Sequence, residues 1–404
     1  MLLVLALCVA GALAQDSSTI DPVLLATLFG TPPPPTPVVT SRIDAVTVKP
    51  TDSTTTFTDK NGAPCKCVPY YLCSKDLVAE GATNASLTGY LELDIRFGEE
   101  DNCQESVERC CTDPVDVTEV VVTPPPPPVL KGCGFRNRKG IDFSIKGGTG
   151  HEAQFGEFPW VIALIDALNS SYAGVGVLIH PQVVMTGAHI AYKYRSGTLR
   201  ARAGEWDTQT VGERLKHQER GVKEIYIHNE FRSANLFNDV ALLLLDEPFQ
   251  LDQHINVICM PEQDEEFDNS RNCVANGWGK NVFGKAGRYA VILKKVEINM
   301  VPHERCQTLL KRTRLGSKFR LHSSFVCAGG EEGKDLCTGD GGAPLACPIA
   351  EDRYKLTGLV AWGIGCGGKD VPAAYAAVPA FRRWVDLKMA QWRLPTDGYK
   401  LNNF

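Results

Sequence analysis

The chain has 404 residues, 44% hydrophobic and 22% charged, with a formal net charge of −5. This is the composition of globular material, long enough for two or three domains. The charge balance gives no reason to expect nucleic acid or an anionic membrane as a partner.

Met1-Leu2-Leu3-Val4-Leu5-Ala6-Leu7-Cys8-Val9-Ala10 is an apolar run, and Ala12-Leu13-Ala14 is an A-x-A cleavage site before Gln15. The run is too short to span a bilayer and polar sequence follows, so residues 1–14 read as a secretory signal peptide. No later apolar run reaches membrane length, and the expectation is a secreted, soluble protein without membrane insertion. Of the 15 cysteines, Cys8 leaves with the leader, and the even remainder points to complete pairing in an oxidising compartment. The sequons Asn84-Ala85-Ser86 and Asn169-Ser170-Ser171 are glycosylation acceptors consistent with that route.

Residues 15–60 carry the proline run Pro32 to Pro35 and the tract Thr54-Thr55-Thr56, with no sustained apolar period, and read as a disordered or extended tail. A short helix is expected at Asp21-Pro22-Val23-Leu24-Leu25. Residues 61–112 hold Cys65, Cys67, Cys73, Cys103, Cys110 and Cys111 in a segment too small for a core of its own, so it must be stapled. Spacing alone leaves the connectivity open. The segment contains no histidine, which argues against a zinc site. Residues 113–146 form a linker in which Pro124 to Pro128 favour a semi-rigid polyproline II spacer. Cys133 lies in it and needs a partner in the domain beyond.

Residues 147–395 alternate short β-rich runs with turn signals: Trp160-Val161-Ile162-Ala163-Leu164-Ile165, Val175 to Ile179, Val240 to Leu245 and Leu356 to Val360. That pattern predicts an all-β barrel or sandwich. Phe381 to Lys388 spaces apolar residues at i, i+3 and i+4, as an amphipathic terminal helix does. Residues 396–404 are a tail.

Cys337-Thr338-Gly339-Asp340-Gly341-Gly342-Ala343-Pro344 resembles, without a gap, the nucleophile loop of chymotrypsin-like serine proteases, Cys-x-Gly-Asp-Ser-Gly-Gly-Pro. The place of the attacking serine holds Gly341. Glycine carries no oxygen to attack a carbonyl, and loss of the nucleophile from such a triad costs roughly 10⁶ in turnover. Val183-Val184-Met185-Thr186-Gly187-Ala188-His189 resembles the family's histidine motif, and Asn238-Asp239-Val240-Ala241-Leu242 its aspartate motif, in the chymotrypsin order. Gly156-Glu157-Phe158-Pro159-Trp160 resembles the start of its first strand. The resemblance implies a chymotrypsin-like double β-barrel with a C-terminal helix, and a degenerate triad of His189, Asp239 and Gly341. His189 and Asp239 are expected to persist as buried, mutually hydrogen-bonded filler. Gly339 retains an oxyanion-hole amide and Asp335 the pocket position of Arg/Lys-preferring enzymes. Ala373 replaces a wall glycine and crowds that pocket. Thr338, the nearest hydroxyl, falls at the pocket rim.

The cysteines that clamp the histidine loop in the family are replaced by Gly174 and Ile190, which removes about 2–3 kcal/mol of constraint. Lys146 precedes Gly147-Gly148 rather than an apolar anchor, so the usual activation is altered. Asp340 then needs another partner or stays solvated, because an unpaired buried carboxylate is expensive.

The adjacent pair Cys110-Cys111 resembles the end of the CLIP domain of arthropod secreted proteases, which implies Cys65–Cys110, Cys67–Cys103 and Cys73–Cys111. The protease resemblance implies Cys133–Cys259, Cys273–Cys347, Cys306–Cys327 and Cys337–Cys366. Together these resemble the CLIP-domain serine protease homologues of arthropods, the masquerade-like group that includes non-catalytic prophenoloxidase-activating factors. That likeness implies a haemolymph cofactor switched by proteolysis. Its partners would be prophenoloxidase or its activating protease and an upstream CLIP-domain protease, with an oligomer after cleavage. Candidate cleavage sites are Arg96, Arg42 and Lys146. Rival readings are an adhesive or matrix protein, a negative regulator of the cascade, and an active trypsin-like protease. No organic cofactor is expected; calcium is a candidate ligand for Glu205 and Asp207, since hard cations want clustered oxygens, and the alternative is that both carboxylates are solvated.

Overall fold

The computed structural model describes residues 57–58, 64–73, 91–94, 103, 107–112, 114, 132–146, 150–279, 289–332, 340–365 and 368–401. The chain divides between Thr54 and Thr55, and every described residue belongs to the second unit. The expected helix at residues 21–25 lies outside the described residues.

Strands β1 (Phe57–Thr58), β2 (Pro64–Pro69), β3 (Leu91–Asp94) and β4 (Glu108–Cys111) precede β5 (Phe143–Lys146). β1, β2 and β4 form one small sheet with Cys67 opposite Cys110, clamped by Cys65–Cys110, Cys67–Cys103 and Cys73–Cys111. Disulfides here substitute for a core that so short a segment cannot build. β3 turns away from this sheet and pairs in parallel with β5, Leu91 opposite Phe143 and Leu93 opposite Ile145.

Next come β6 (Val161–Asp166), β7 (Tyr172–His180), β8 (Val183–Thr186), helix α1 (Ala188–Ala191), β9 (Leu199–Ala203), β10 (Gln218–Ile227) and β11 (Ala241–Leu245). The six strands close into an antiparallel barrel in the order β10-β11-β8-β7-β6-β9. β8 and β11 are apolar with hardly an interruption because both of their faces are covered, whereas β9 and β10 carry charged residues on partly exposed positions. Ile162, Leu164, Leu178, Val184 and Leu243 fill the barrel. Their neighbours Val161, Ala163, Val177, Val183 and Leu242 face outward and join Val274, Ala343, Ala346 and Leu359 in a second cluster. Each such Leu, Ile or Val contributes about 1.5–3 kcal/mol on burial.

The second half contains β12 (Cys273–Gly277), β13 (Lys294–Ile298), β14 (Met300–Val301), helix α2 (His303–Lys311), β15 (Phe325–Gly329), β16 (Pro344–Ala350), β17 (Arg353–Trp362), β18 (Pro372–Ala377) and helix α3 (Arg382–Gln391). Its strands form one sheet in the order β13-β12-β16-β17-β18-β15-β14, bridged by Cys273–Cys347. Cys306–Cys327 ties α2 to β15. Helix α3 buries Val385 and Met389. No helix among the described residues is long and apolar enough to cross a membrane.

The spacer between the modules is shorter than the sequence reading makes it. From Gly132 the chain lies on the barrel domain: Cys133 is bridged to Cys259, and Arg136, Ile141 and Phe143 are buried. Ile141-x-Phe143-x-Ile145 puts three apolar side chains on one face of a strand. Arg136 binds Glu157 through Nε (2.9 Å) and Nη2 (2.6 Å) and reaches Tyr354 Oη at 2.9 Å. Lys295 Nζ completes the set on Glu157 at 2.8 Å. The buried Glu157 carboxylate thus binds this segment to both halves of the domain, and leaving it unpaired costs about 3–5 kcal/mol.

Candidate functional site

β11 runs antiparallel to β8, with Ala241 opposite Thr186. The residues just before β11 and just after β8 therefore meet at one end of the barrel, which brings Asp239 to His189. Asn238 adopts φ 55°, a left-handed conformation that asparagine tolerates, and turns Asp239 inward. The buried Asp239 accepts the His189 backbone N–H through Oδ1 at 2.7 Å. Its Oδ2 lies 2.6 Å from His189 Nδ1, which fixes the ring; the imidazole is 17% exposed. Both groups persist, so the pairing is retained, though the ring is open to solvent rather than fully buried.

Gly341 arrives from the other half. Its carbonyl accepts the Val175 N–H of β7 (3.1 Å), while the Gly342 N–H donates to Val360 of β17 (3.0 Å), so this loop sits on the seam of the domain. Gly342 has φ +77°, and a Cβ there would lie 2.2 Å from Thr186 Oγ1; only glycine fits. A Cβ on Gly341 would lie 2.5 Å from His189 Nε2 and 2.9 Å from Ile190 Cδ1. Ile190 also closes over Gly174, whose Cβ would stand 3.2 Å from the same methyl group. Gly174, Ile190 and Gly341 thus pack as one unit, and the free imidazole nitrogen faces a backbone instead of a hydroxyl.

Asp340 is buried, not solvated. Its Oδ1 accepts the Gly279 N–H at 2.8 Å. The carboxylate lies so close to the backbone of Gly277 and Gly279 that a Cβ at either would fall 2.0 and 2.2 Å from its oxygens. Tyr172 packs nearby against Trp278 and Tyr289; burial first, then the Asp340 charge, pushes its phenol well above the usual range.

The chain matches the family model for Trypsin over residues 148–385 and that for Serine protease Clip domain PPAF-2 over residues 54–112. It is 50% identical over 272 residues to Phenoloxidase-activating factor 2 of Galleria mellonella, covering 64% of this chain and 89% of that one. It is 40% identical over 328 residues to Inactive CLIP domain-containing serine protease A8 of Anopheles gambiae, covering 79% and 87%. Protein masquerade of Drosophila melanogaster is 36% identical over 240 residues, 59% of this chain and 22% of its own length. The chain is a CLIP-domain serine protease homologue.

In this homologue Ala373 lies in β18, buried and opposite Ala328. Asp335, Cys337, Thr338, Gly339 and Cys366 lie outside the described residues, as do Asn84, Arg42 and Arg96. Lys146 ends β5, and Asn169 is exposed on the turn between β6 and β7. Glu205 and Asp207 are buried rather than solvated. Glu205 accepts Arg202 Nη1 at 2.8 Å, and Asp207 Oδ1 accepts the Gln209 N–H at 2.9 Å. Among the described residues no three His, Cys, Asp or Glu side chains are placed to hold a metal ion.

Two features escape the sequence reading. Glu213, six residues past Asp207, folds back beneath the same loop, where burial, with Glu205 and Asp207 adding, pushes its carboxyl up to about 7. The second is the contact between the CLIP module and the barrel. Tyr70 stands edge-on to Phe143 at 4.9 Å, and Phe143 packs on Phe155 and Trp206. Tyr70 Oη reaches Asp142 at 3.5 Å, and Arg214 grips the same carboxylate through Nε at 2.9 Å. The apolar alternation at residues 141–145 was the available signal for a docking strand.

Proposed function

We propose that this homologue is a secreted, non-catalytic adaptor that a protease cut switches on, and that it assists another protease in processing prophenoloxidase. The observation that carries the reading is the meeting of His189 with Gly341: an oriented imidazole faces a residue with no side-chain hydroxyl, and Ile190 packs beside it. Relatives named inactive CLIP-domain proteases and a phenoloxidase-activating factor support it.

Such an adaptor works by contact, and its CLIP module is the part that a cut can rearrange. Arg96 is the favoured site, ahead of Arg42 and Lys146. It follows β3 by two positions and precedes Cys103, so cleavage there frees the chain end after β3 while Cys65–Cys110, Cys67–Cys103 and Cys73–Cys111 still hold the two pieces together. Mass spectrometry of the active form tests the site; an intact Arg96–Phe97 bond removes it.

The deciding assay mixes prophenoloxidase, its processing protease and this protein, with and without prior cleavage, and follows diphenol oxidation. The reading expects faster oxidation only with the cleaved protein. Slower oxidation assigns a negative regulator, and no change in either arm overturns a role in that cascade.

A further inference from the structure

We infer that helix α2 and the turns after it bind a sulfated or uronic-acid polysaccharide. In a chain with net charge −5, Arg305, Lys311, Arg312, Arg314, Lys318 and Arg320 place six cations and no acid within residues 305–320. All are exposed except Lys311, which is half-buried. None of the six is ion-paired among the described residues, whereas Arg136, Arg202, Arg214, Lys295 and Lys355 elsewhere all are. The nearest acid on the same element is Glu304, beside Arg305 at the helix start. The C-terminal dipole of α2 accounts for Lys311 and Arg312, but not for Arg305, Arg314, Lys318 and Arg320.

The patch is held in shape. Arg305 and Arg312 are two helical turns apart on one face, about 10 Å. Beyond α2, Thr313 N–H donates to Leu310, Gly316 N–H to Thr313 and Phe319 N–H to Gly316, each at 3.1 Å. Leu310 and Leu321 are buried, and Leu315 and Phe319 pack on the same cluster, which leaves the cations facing water. Phe319 stands edge-on to Trp362 at 6.1 Å, placing the patch beside the end of β17.

The occupant follows from what the patch lacks. A membrane surface asks for apolar side chains among the cations, and the exposed large apolar residues among the described residues are Leu168, Tyr192, Val211, Tyr289 and Leu387, none of them in this segment. A single-stranded nucleic acid asks for free aromatic faces, and Phe319 is already packed. What remains is a partner that offers dense negative charge and nothing else. Four of the six are arginines, whose planar fork suits carboxylate and tetrahedral oxyanions, phosphate as well as sulfate, and the arms of the test separate those sources.

The test uses the full-length protein on immobilised heparin, with Arg312→Gln/Arg314→Gln/Arg320→Gln and a control, Lys193→Gln/Lys223→Gln/Lys369→Gln, that removes as much charge elsewhere. The wild type binds, and its affinity falls about 10³-fold between ~0.05 and ~0.2 M salt. The patch variant has roughly half that salt slope while the control keeps it, and both melt with the wild type. Absence of binding at low salt overturns the proposal, as does equal loss in both variants. Tighter binding to duplex DNA or to phosphatidylserine vesicles overturns the choice of polysaccharide.

Discussion

The two walls of the cleft have parted company. The wall from the first barrel keeps an oriented His189–Asp239 pair; the wall from the second half presents Gly341. The difference teaches what each feature does for the fold. Asp239 closes two hydrogen bonds in the interior, one of them to a backbone N–H, so the fold itself retains it. A hydroxyl at position 341 holds nothing together, and its absence has let His189 and Ile190 settle against the bare Cα.

The sharpest way to break this comparison is to remove the retained wall. Asp239→Ala deletes a fully buried acceptor of two bonds and is expected to cost about 3 kcal/mol in denaturant unfolding; a loss below ~0.5 kcal/mol would show that the pair is ornamental. Gly342→Ala comes next, at about 2 kcal/mol, because strain at positive φ adds to a clash with Thr186 and the Val175 carbonyl. Gly341→Ala should cost only about 1 kcal/mol, since it meets side-chain atoms of His189 and Ile190 rather than backbone. Adding Ile190→Ala should then restore part of that loss, a non-additivity that a double-mutant cycle detects.

A pH series sharpens the picture from outside the cleft. Glu213 binds its proton more tightly when folded, so it favours the folded chain below its ordinary 4.5. That preference fades as pH rises to about 7 and is gone above it, a span on the order of 3 kcal/mol. Glu213→Gln removes that component, so the wild-type-minus-variant stability difference should fall as pH rises from 4.5 to about 7; a difference independent of pH would assign the effect elsewhere.

Much of this was legible in the sequence. The motifs around His189, Asp239 and Gly341 fixed the barrel fold, and the unbroken apolar runs marked strands covered on both faces. The disulfide partners came through resemblance, since spacing left them open. What stayed hidden depended on backbone and distance. Asp340 is satisfied by the Gly279 N–H, a donor that every residue except proline carries and no sequence pattern advertises. β3 and β5 pair across about fifty residues in a two-stranded contact, which no local spacing predicts. Residues 141–145 did alternate, but the proline run just upstream drew them into the spacer.

The central claim is that the His189–Asp239 pair serves the fold and no longer serves catalysis. It is tested most directly by comparing wild type with His189→Ala, each intact and after limited proteolysis with the added protease removed, on a fluorogenic arginyl peptide amide. All rates should equal the blank; turnover present in the wild type and lost in His189→Ala would mean that the pair still works on substrate.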